Sequence, residues 1–162
     1  METKGKKVSK TNKMNIYFIK SSEKKEIIEE LKEQFGIEEL PFLLIESGKE
    51  KIRGFTGSLS KEEIVELGKI AWIEGVGIYL FKREEALRIG FDATQILGNQ
   101  ITKNIIDITE EQARFWLRGR DIEMQTPRGI VVVRYQGDFF GCGKSTGEKI
   151  TNHVPKERRL KK

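Results

Sequence analysis

Apolar residues along this chain follow two spacings, one typical of helices and one typical of strands. Between residues 22 and 36 they recur at intervals of three or four, at Ile27, Ile28, Leu31 and Phe35. This spacing predicts a helix that Ser22 caps and Gly36 ends.

Two capping boxes mark the starts of further helices. They are formed by Ser60 with Glu63, and by Thr109 with Gln112. They predict one helix over about residues 61–71 and another from Thr109 to a break at Gly119, with Ala113 and Trp116 on one side. A shorter helix is predicted between Asp92, as its cap, and Gly98.

Strand patterns fill most of the remaining chain. The predicted strands are residues 14–20, 42–46, 77–82, 87–91, 130–133, 139–144 and 149–152. Turns are expected at Gln136-Gly137-Asp138 and at Thr146-Gly147. We therefore expect an α+β protein, with a small α/β N-terminal domain over residues 14–85 and a half-open mixed β barrel over residues 86–162.

Charge is divided unevenly along the 162 residues, although the net charge is +5. Residues 1–13 carry +4, residues 14–100 carry −4 and residues 101–162 carry +5. The first segment is predicted to be a flexible basic arm. The last segment is predicted to form a basic surface suited to the phosphates of a nucleic acid.

Several functional classes lack their residues in this chain. No apolar run approaches 18 residues, so we expect a cytoplasmic protein without a membrane partner. Cys142 is the single cysteine, which excludes an internal disulfide and a multi-cysteine metal cluster. No glycine-rich loop opens a helix, so no nucleotide cofactor is expected, and no acid–base pair can be assembled. We therefore expect no enzyme activity, no metal and no cofactor.

Three blocks of the C-terminal half resemble a known family. They are TEEQARFWLRGRD from Thr109, GDFFGCGK from Gly137, and KITNHVPKERR from Lys149. In this order they resemble the C-terminal PUA-like RNA-binding domain of the RsmF and Sun/Fmu type ribosomal-RNA cytosine methyltransferases. The resemblance implies a pseudo-barrel that binds structured RNA. The methyltransferase domain and its pair of cysteines have no counterpart here, so the resemblance does not extend to methyl transfer.

The predicted RNA-binding surface combines the cations of this segment with two polar residues. The candidates are Arg118, Arg120, Lys144, Lys149, Asn152, His153, Lys156, Arg158 and Arg159. Arg118 and Arg120 flank Gly119, where a close backbone approach would let both guanidinium groups reach phosphates. The alternative is that they pair with Asp121 and Glu123.

Other side chains keep more than one interpretation. Three roles are considered for His153, in decreasing order of preference: a structural role, an RNA contact and a catalytic role. Cys142, between two glycines, fits a small core residue better than a nucleophile. Phe115, Trp116 and Tyr135 are candidate stacking platforms, but Trp116 is expected in the core, and both interpretations stay open for Phe115 and Tyr135.

The basic C-terminal surface predicts a non-catalytic nucleic-acid-binding protein, and the resemblance implies an RNA-binding factor in ribosome biogenesis or RNA modification, with structured ribosomal or transfer RNA as its partner. One alternative is a trans-acting subunit that presents RNA to a separate ribosomal or transfer RNA methyltransferase. Another is a protein-docking adaptor or ribosome-associated component, with a protein partner on the acidic N-terminal domain.

Overall fold

The computed structural model describes residues 15–161, so the basic arm predicted for residues 1–13 lies outside the described residues. The helices are α1 (Ser21–Phe35), α2 (Lys61–Ile70), α3 (Phe91–Ile96) and α4 (Glu110–Leu117), with short 3₁₀ helices at Gly98–Gln100 and Lys156–Arg158. The strands are β1 (Ile16–Phe18), β2 (Leu43–Ser47), β3 (Lys51–Phe55), β4 (Ile78–Lys82), β5 (Arg88–Ile89), β6 (Ile105–Asp107), β7 (Ile122–Glu123), β8 (Gly129–Tyr135), β9 (Asp138–Ser145) and β10 (Lys149–Asn152).

Helix α1 buries the apolar face that its sequence predicts. Ile27, Leu31 and Phe35 are buried, and Gly36 ends the helix in the left-handed region at φ 82°. The cap at Ser22 is wrong, because Ser22 lies inside the helix and Lys20 occupies the N-cap without a side-chain hydrogen bond. The first turn is instead held from outside the helix, where Lys24 Nζ donates to the Phe42 carbonyl oxygen at 2.7 Å.

The first sheet is antiparallel throughout, with strand order β1-β2-β3-β4-β5. Strand β3 has no counterpart among the predicted strands, since Gly54 interrupts its apolar alternation. A Cβ atom on Gly54 would lie 2.6 Å from Leu80 Cδ1, so the packing of β4 leaves no room for a side chain there.

Helix α2 begins as its capping box predicts. Glu63 N donates to Ser60 Oγ at 3.1 Å, and Ser60 N donates to Glu63 Oε2 at 2.7 Å. Ile64 is buried beside Ile45 and Val76. The exposed acidic residues of α1 and α2 include Glu29, Glu30, Glu33, Glu62, Glu63 and Glu66.

The second sheet has the order β6-β8-β9-β10-β7, and it confirms the predicted mixed half-barrel. Strands β6 and β8 are parallel, and all other pairs are antiparallel. The hairpin between β8 and β9 turns at Gln136 and Gly137, with φ values of 49° and 89° as the tight hairpin turn requires. Strands β6 and β7, with three and two residues, are too short to show an apolar alternation in the sequence.

One hydrophobic cluster, here called the shared core, joins the two sheets. From the N-terminal half it contains Leu31, Phe35 and Leu80, and from the second sheet Val132, Phe139 and Cys142. Strand β5 lies beyond the boundary predicted at residue 85, yet it pairs with β4 of the first sheet. The two halves of the described chain therefore pack on each other. The division into two domains at residue 85 stays a prediction.

Helix α3 connects the two sheets. The Thr94 hydroxyl accepts from Gly141 N at 3.0 Å and donates to the Phe91 carbonyl oxygen at 2.7 Å. Gly90 is the N-cap of α3, so the prediction that Asp92 caps this helix is wrong. The carboxylate of Asp92 pairs with Arg158 of the C-terminal segment at 2.8 Å instead.

Candidate nucleic-acid interface

The C-terminal end of α4 fixes the centre of the candidate surface. The capping box is present, with Gln112 N donating to Thr109 Oγ1 at 3.2 Å. Trp116 is fully buried and its Nε1 donates to the Phe140 carbonyl oxygen at 2.7 Å, so it belongs to the core rather than to a stacking platform. Gly119 ends the helix at φ 83°, where an L side chain is strained.

The C-terminal segment packs against this turn. A Cβ atom on Gly119 would lie 2.5 Å from Arg159 Nε, so the glycine also makes room for the Arg159 side chain. Arg159 Nε donates to the Val154 carbonyl oxygen at 3.0 Å, and Leu160 N donates to the Leu117 carbonyl oxygen at 2.8 Å. These contacts place Arg159 beside the turn that carries Arg118 and Arg120.

Asn152 connects β10 to the end of α4. Its Nδ2 donates to the carbonyl oxygens of Trp116 at 2.7 Å and Arg120 at 3.0 Å. Its Oδ1 accepts from Val154 N at 2.8 Å, and its backbone N donates to Asp121 Oδ1 at 2.9 Å. The amide group is therefore used within the chain, and in this structure it supports the surface rather than facing outward.

Arg118 and Arg120 are both exposed. The Arg120 guanidinium lies 5.2 Å from the centre of the Phe115 ring, a cation–π contact. Neither arginine has an ion-pair partner among residues 15–161, whereas Asp121 pairs with Lys149 at 3.2 Å. The sequence left open that these arginines pair with Asp121 and Glu123. The structure does not have this pairing.

The remaining candidate cations differ in their surroundings. Lys149 and Arg158 are held by the carboxylates of Asp121 and Asp92. Lys144 and Lys156 are exposed and have no ion-pair partner within the described part of the chain. Five exposed or half-exposed cations are therefore available to an anion, namely Arg118, Arg120, Arg159, Lys144 and Lys156.

Lys144 and His153 line a cleft of about 540 Å³ to which both halves of the chain contribute. We call it the junction cleft. Its lining residues are Glu84, Glu85, Ala86, Arg88, Gly129, Ile130, Lys144 and His153. Sequence reasoning missed Arg88 and Glu84, because they precede the matched blocks and only the fold brings them to His153.

The environment of His153 makes it neutral. Burial, with a smaller contribution from the positive charge of Arg88, lowers the pKa of its imidazole from the usual 6.5 to about 4. Its Nδ1 atom is buried and has no hydrogen-bond partner within residues 15–161. The thiol of Cys142 is inert as well, since burial raises its pKa to about 11.

This lowered pKa predicts a pH dependence of stability. Between pH 6.5 and about 4 the unfolded chain binds a proton on His153 before the folded chain does, so the free energy of unfolding falls as the pH is lowered through this window. The His153→Gln variant lacks this contribution. We expect the difference in the free energy of unfolding between the two proteins to change from pH 7 to pH 5, as measured by urea denaturation, with wild type losing more. A difference that is constant with pH would contradict the assignment.

Two further findings limit the chemistry of the described residues. Within residues 15–161 no group of three or more His, Cys, Asp or Glu side chains is placed to hold a metal ion. In the same part of the chain no helix combines the length and apolar character needed to cross a bilayer.

Comparison with a solved structure defines the fold. A conserved PUA domain protein from Thermoplasma acidophilum superposes with a TM-score of 0.57 and 14% identity, over 88% of this chain and 97% of that chain. The fold is therefore PUA-like, and the likeness extends across both sheets.

The sequence comparisons identify the type of PUA domain. Residues 103–160 match the family described as the methyltransferase RsmF PUA domain. The ribosomal RNA small subunit methyltransferase F of Vibrio vulnificus is 45% identical over 77 residues, 47% of this chain and 16% of that protein. Its counterpart in Shewanella piezotolerans is 33% identical over 150 residues, 88% of this chain and 30% of that protein. The chain thus contains a PUA-like domain of the RsmF type and spans less than a third of these relatives.

Proposed function

We propose that the protein binds structured RNA through the surface around Gly119 and does not itself catalyse a reaction. The observation that carries the proposal is that Arg118 and Arg120 are exposed on either side of Gly119, without a carboxylate partner in the described residues. Guanidinium groups on a fixed turn suit phosphate oxygens, because they donate several hydrogen bonds in a planar array.

The relatives supply the class of RNA. They are named as methyltransferases of small-subunit ribosomal RNA, and the segment that matches the RsmF PUA domain family, residues 103–160, includes the Gly119 turn. We therefore propose ribosomal RNA as the first partner and transfer RNA as the second, in ribosome biogenesis or RNA modification. Presentation of that RNA to a separate methyltransferase is consistent with the same surface.

A protein-docking adaptor is the second candidate, and α2 favours it. Leu67, Ile70 and Trp72 are exposed at the end of this helix, where Trp72 is 72% accessible. Acidic Glu62 and Glu66 lie on the same helix, so a partner with apolar and basic side chains would fit.

Salt-dependent binding tests the RNA proposal. If the five available cations contact phosphates, the logarithm of the binding constant should fall with the logarithm of salt concentration at a slope of roughly −3 to −4 for single-stranded sites. Replacing Arg118 and Arg120 by Gln should weaken binding and make the slope shallower by roughly 1 to 2. The measurement is fluorescence anisotropy with transcribed small-subunit ribosomal RNA fragments and with transfer RNA, at several salt concentrations.

The matched control is Lys25→Gln with Lys49→Gln, which makes the same change in net charge at two exposed positions of the N-terminal half. We expect its slope to equal that of wild type. If both double variants weaken binding equally, binding depends on net charge and the Gly119 surface is rejected. If wild type binds neither RNA, the adaptor becomes the better candidate.

A further inference from the structure

The junction cleft is built by both halves of the chain. Glu84 and Arg88 come from the end of the first sheet, whereas Ile130 and Lys144 lie on β8 and β9 of the second sheet. His153 follows β10 and completes the lining. The volume of about 540 Å³ falls within the range of about 300 to 1,000 Å³ that is typical of ligand clefts.

The charges of the cleft cancel. Arg88 and Lys144 oppose Glu84 and Glu85, and His153 is neutral at pH 7. Glu84 Oε1 lies 2.5 Å from Lys82 Nζ and 3.2 Å from Arg88 Nη1, so its charge is already compensated. A cleft without net charge attracts a phosphate group poorly, but it offers both donors and acceptors to a neutral ligand with a polar edge.

His153 contributes a donor. Its Nδ1 is buried and has no hydrogen-bond partner among the described residues. Burying an N–H donor without an acceptor costs more free energy than burying an unpaired nitrogen lone pair. The neutral ring therefore carries its proton on Nε2, which leaves Nε2–H as the group available to a ligand in the cleft.

The rest of the lining is apolar or lacks a side chain. Ala86 and Ile130 present methyl groups, and Ile130 packs against the shared core, which holds it in place. Gly129 has open space where a Cβ atom would stand, so nothing from β8 fills that side of the cleft. Apolar walls with a few polar groups at one edge match a flat heteroaromatic ring.

We infer that the junction cleft binds the base of one unpaired nucleotide of the RNA. This inference rests on the proposed function. Bases that are not paired can turn out of a helix and present their polar edge to a protein, which is how proteins commonly read RNA sequence. In the cleft, Glu84 or Glu85 would accept from exocyclic amino groups, and His153 Nε2 would donate to ring and carbonyl acceptors. The phosphates on either side would remain outside, with the unpaired cations.

Fluorescein-labelled hairpins test the inference. Four hairpins carry one bulged A, C, G or U, and a fifth carries an abasic bulge with the same backbone charge. We expect wild type to bind at least one bulged hairpin about tenfold more tightly than the abasic one, an effect of the size measured for single stacked bases. Because the abasic hairpin keeps every phosphate, this ratio reports the base alone.

Two variants test whether the preference for bulged over abasic hairpins arises in the junction cleft. His153→Phe keeps a flat ring without the Nε2 donor, and Ala86→Leu narrows the cleft without changing its charge. Both should reduce the ratio of bulged to abasic affinity to within about twofold of unity. The control Lys25→Gln, on the exposed side of α1, should leave the ratio as in wild type.

The outcomes separate this inference from the proposed function. Tight, salt-dependent binding with equal affinity for bulged and abasic hairpins overturns the base site and leaves RNA binding intact. Absence of binding to all five hairpins and to ribosomal and transfer RNA rejects the proposed function itself. Equal hairpin affinities together with direct binding of a free nucleoside would overturn the inference and assign the cleft to a small molecule.

Discussion

Replacing Trp116 by Ala should lower the free energy of unfolding by about 3 to 5 kcal/mol, the range found when a fully buried large side chain is truncated. Trp116 is completely inaccessible and packs with Ala113, Val131 and Ile150 in the cluster that joins α4 to the second sheet. Truncation would also leave the Phe140 carbonyl oxygen without its Nε1–H donor, which adds to the cost of the cavity. The measurement is urea denaturation followed by far-ultraviolet circular dichroism.

The chain provides its own control for this change. Trp72 is the other tryptophan and is 72% accessible, so Trp72→Ala should change the free energy of unfolding by less than about 0.5 kcal/mol. Similar losses in the two variants would show that Trp116 does not occupy the packed position described. Because Trp116 also positions the end of α4, its truncation should weaken RNA binding even at temperatures where the variant remains folded.

Local chemistry explains why some elements could be predicted from the sequence. The helices after Ser60 and Thr109 begin as predicted because each capping box is complete within four residues. The hairpin at Gln136 and Gly137 likewise depends on local chemistry, because Gly137 adopts positive φ without steric cost. Where the determining interaction is distant in sequence, as for the first turn of α1 and for Asp92, the prediction of the cap is wrong.

On the candidate surface, too, features set by local sequence could be predicted and features set by distant contacts could not. The exposure of Arg118 and Arg120 follows from a helix that ends at a glycine, and this was predictable. The roles of Asn152 and His153 were not, although they are neighbours in sequence. Asn152 turns inward to two carbonyl oxygens, whereas His153 lines a cleft with Arg88, 65 positions away in the chain.

The shared core gives the two halves a common basis for stability and binding. Leu31 and Phe35 of α1 pack in the same cluster as Val132 of β8, so removal of the N-terminal half would expose apolar surface of the second sheet. Point variants on the intact chain are therefore the proper test of each half. The junction cleft must also be tested in the intact chain, because both halves of the chain contribute its lining residues.

Replacing Asn152 by Ala should lower the free energy of unfolding by about 2 to 3 kcal/mol, since several backbone groups lose their partner at once. The carbonyl oxygens of Trp116 and Arg120 lose the Nδ2 donor, and Val154 N loses the Oδ1 acceptor. Asn152→Asp keeps the acceptor but places a carboxylate against two carbonyl oxygens and near Asp121, so it should destabilise the fold at least as much at pH 7. Chemical denaturation of both variants measures these losses.

Asn99→Ala is the matched control, because Asn99 is exposed and its side chain has no hydrogen bond to the described residues. We expect a change below about 0.5 kcal/mol. The sequence presented Asn152 as an RNA contact, and the same variants decide between that role and a structural one. If Asn152→Ala retains the stability of wild type but loses RNA affinity, the side chain contacts RNA directly and the hydrogen bonds described here are dispensable. If stability falls while the salt dependence of the remaining binding is unchanged, Asn152 acts by holding the end of α4, and with it Arg118 and Arg120, in position.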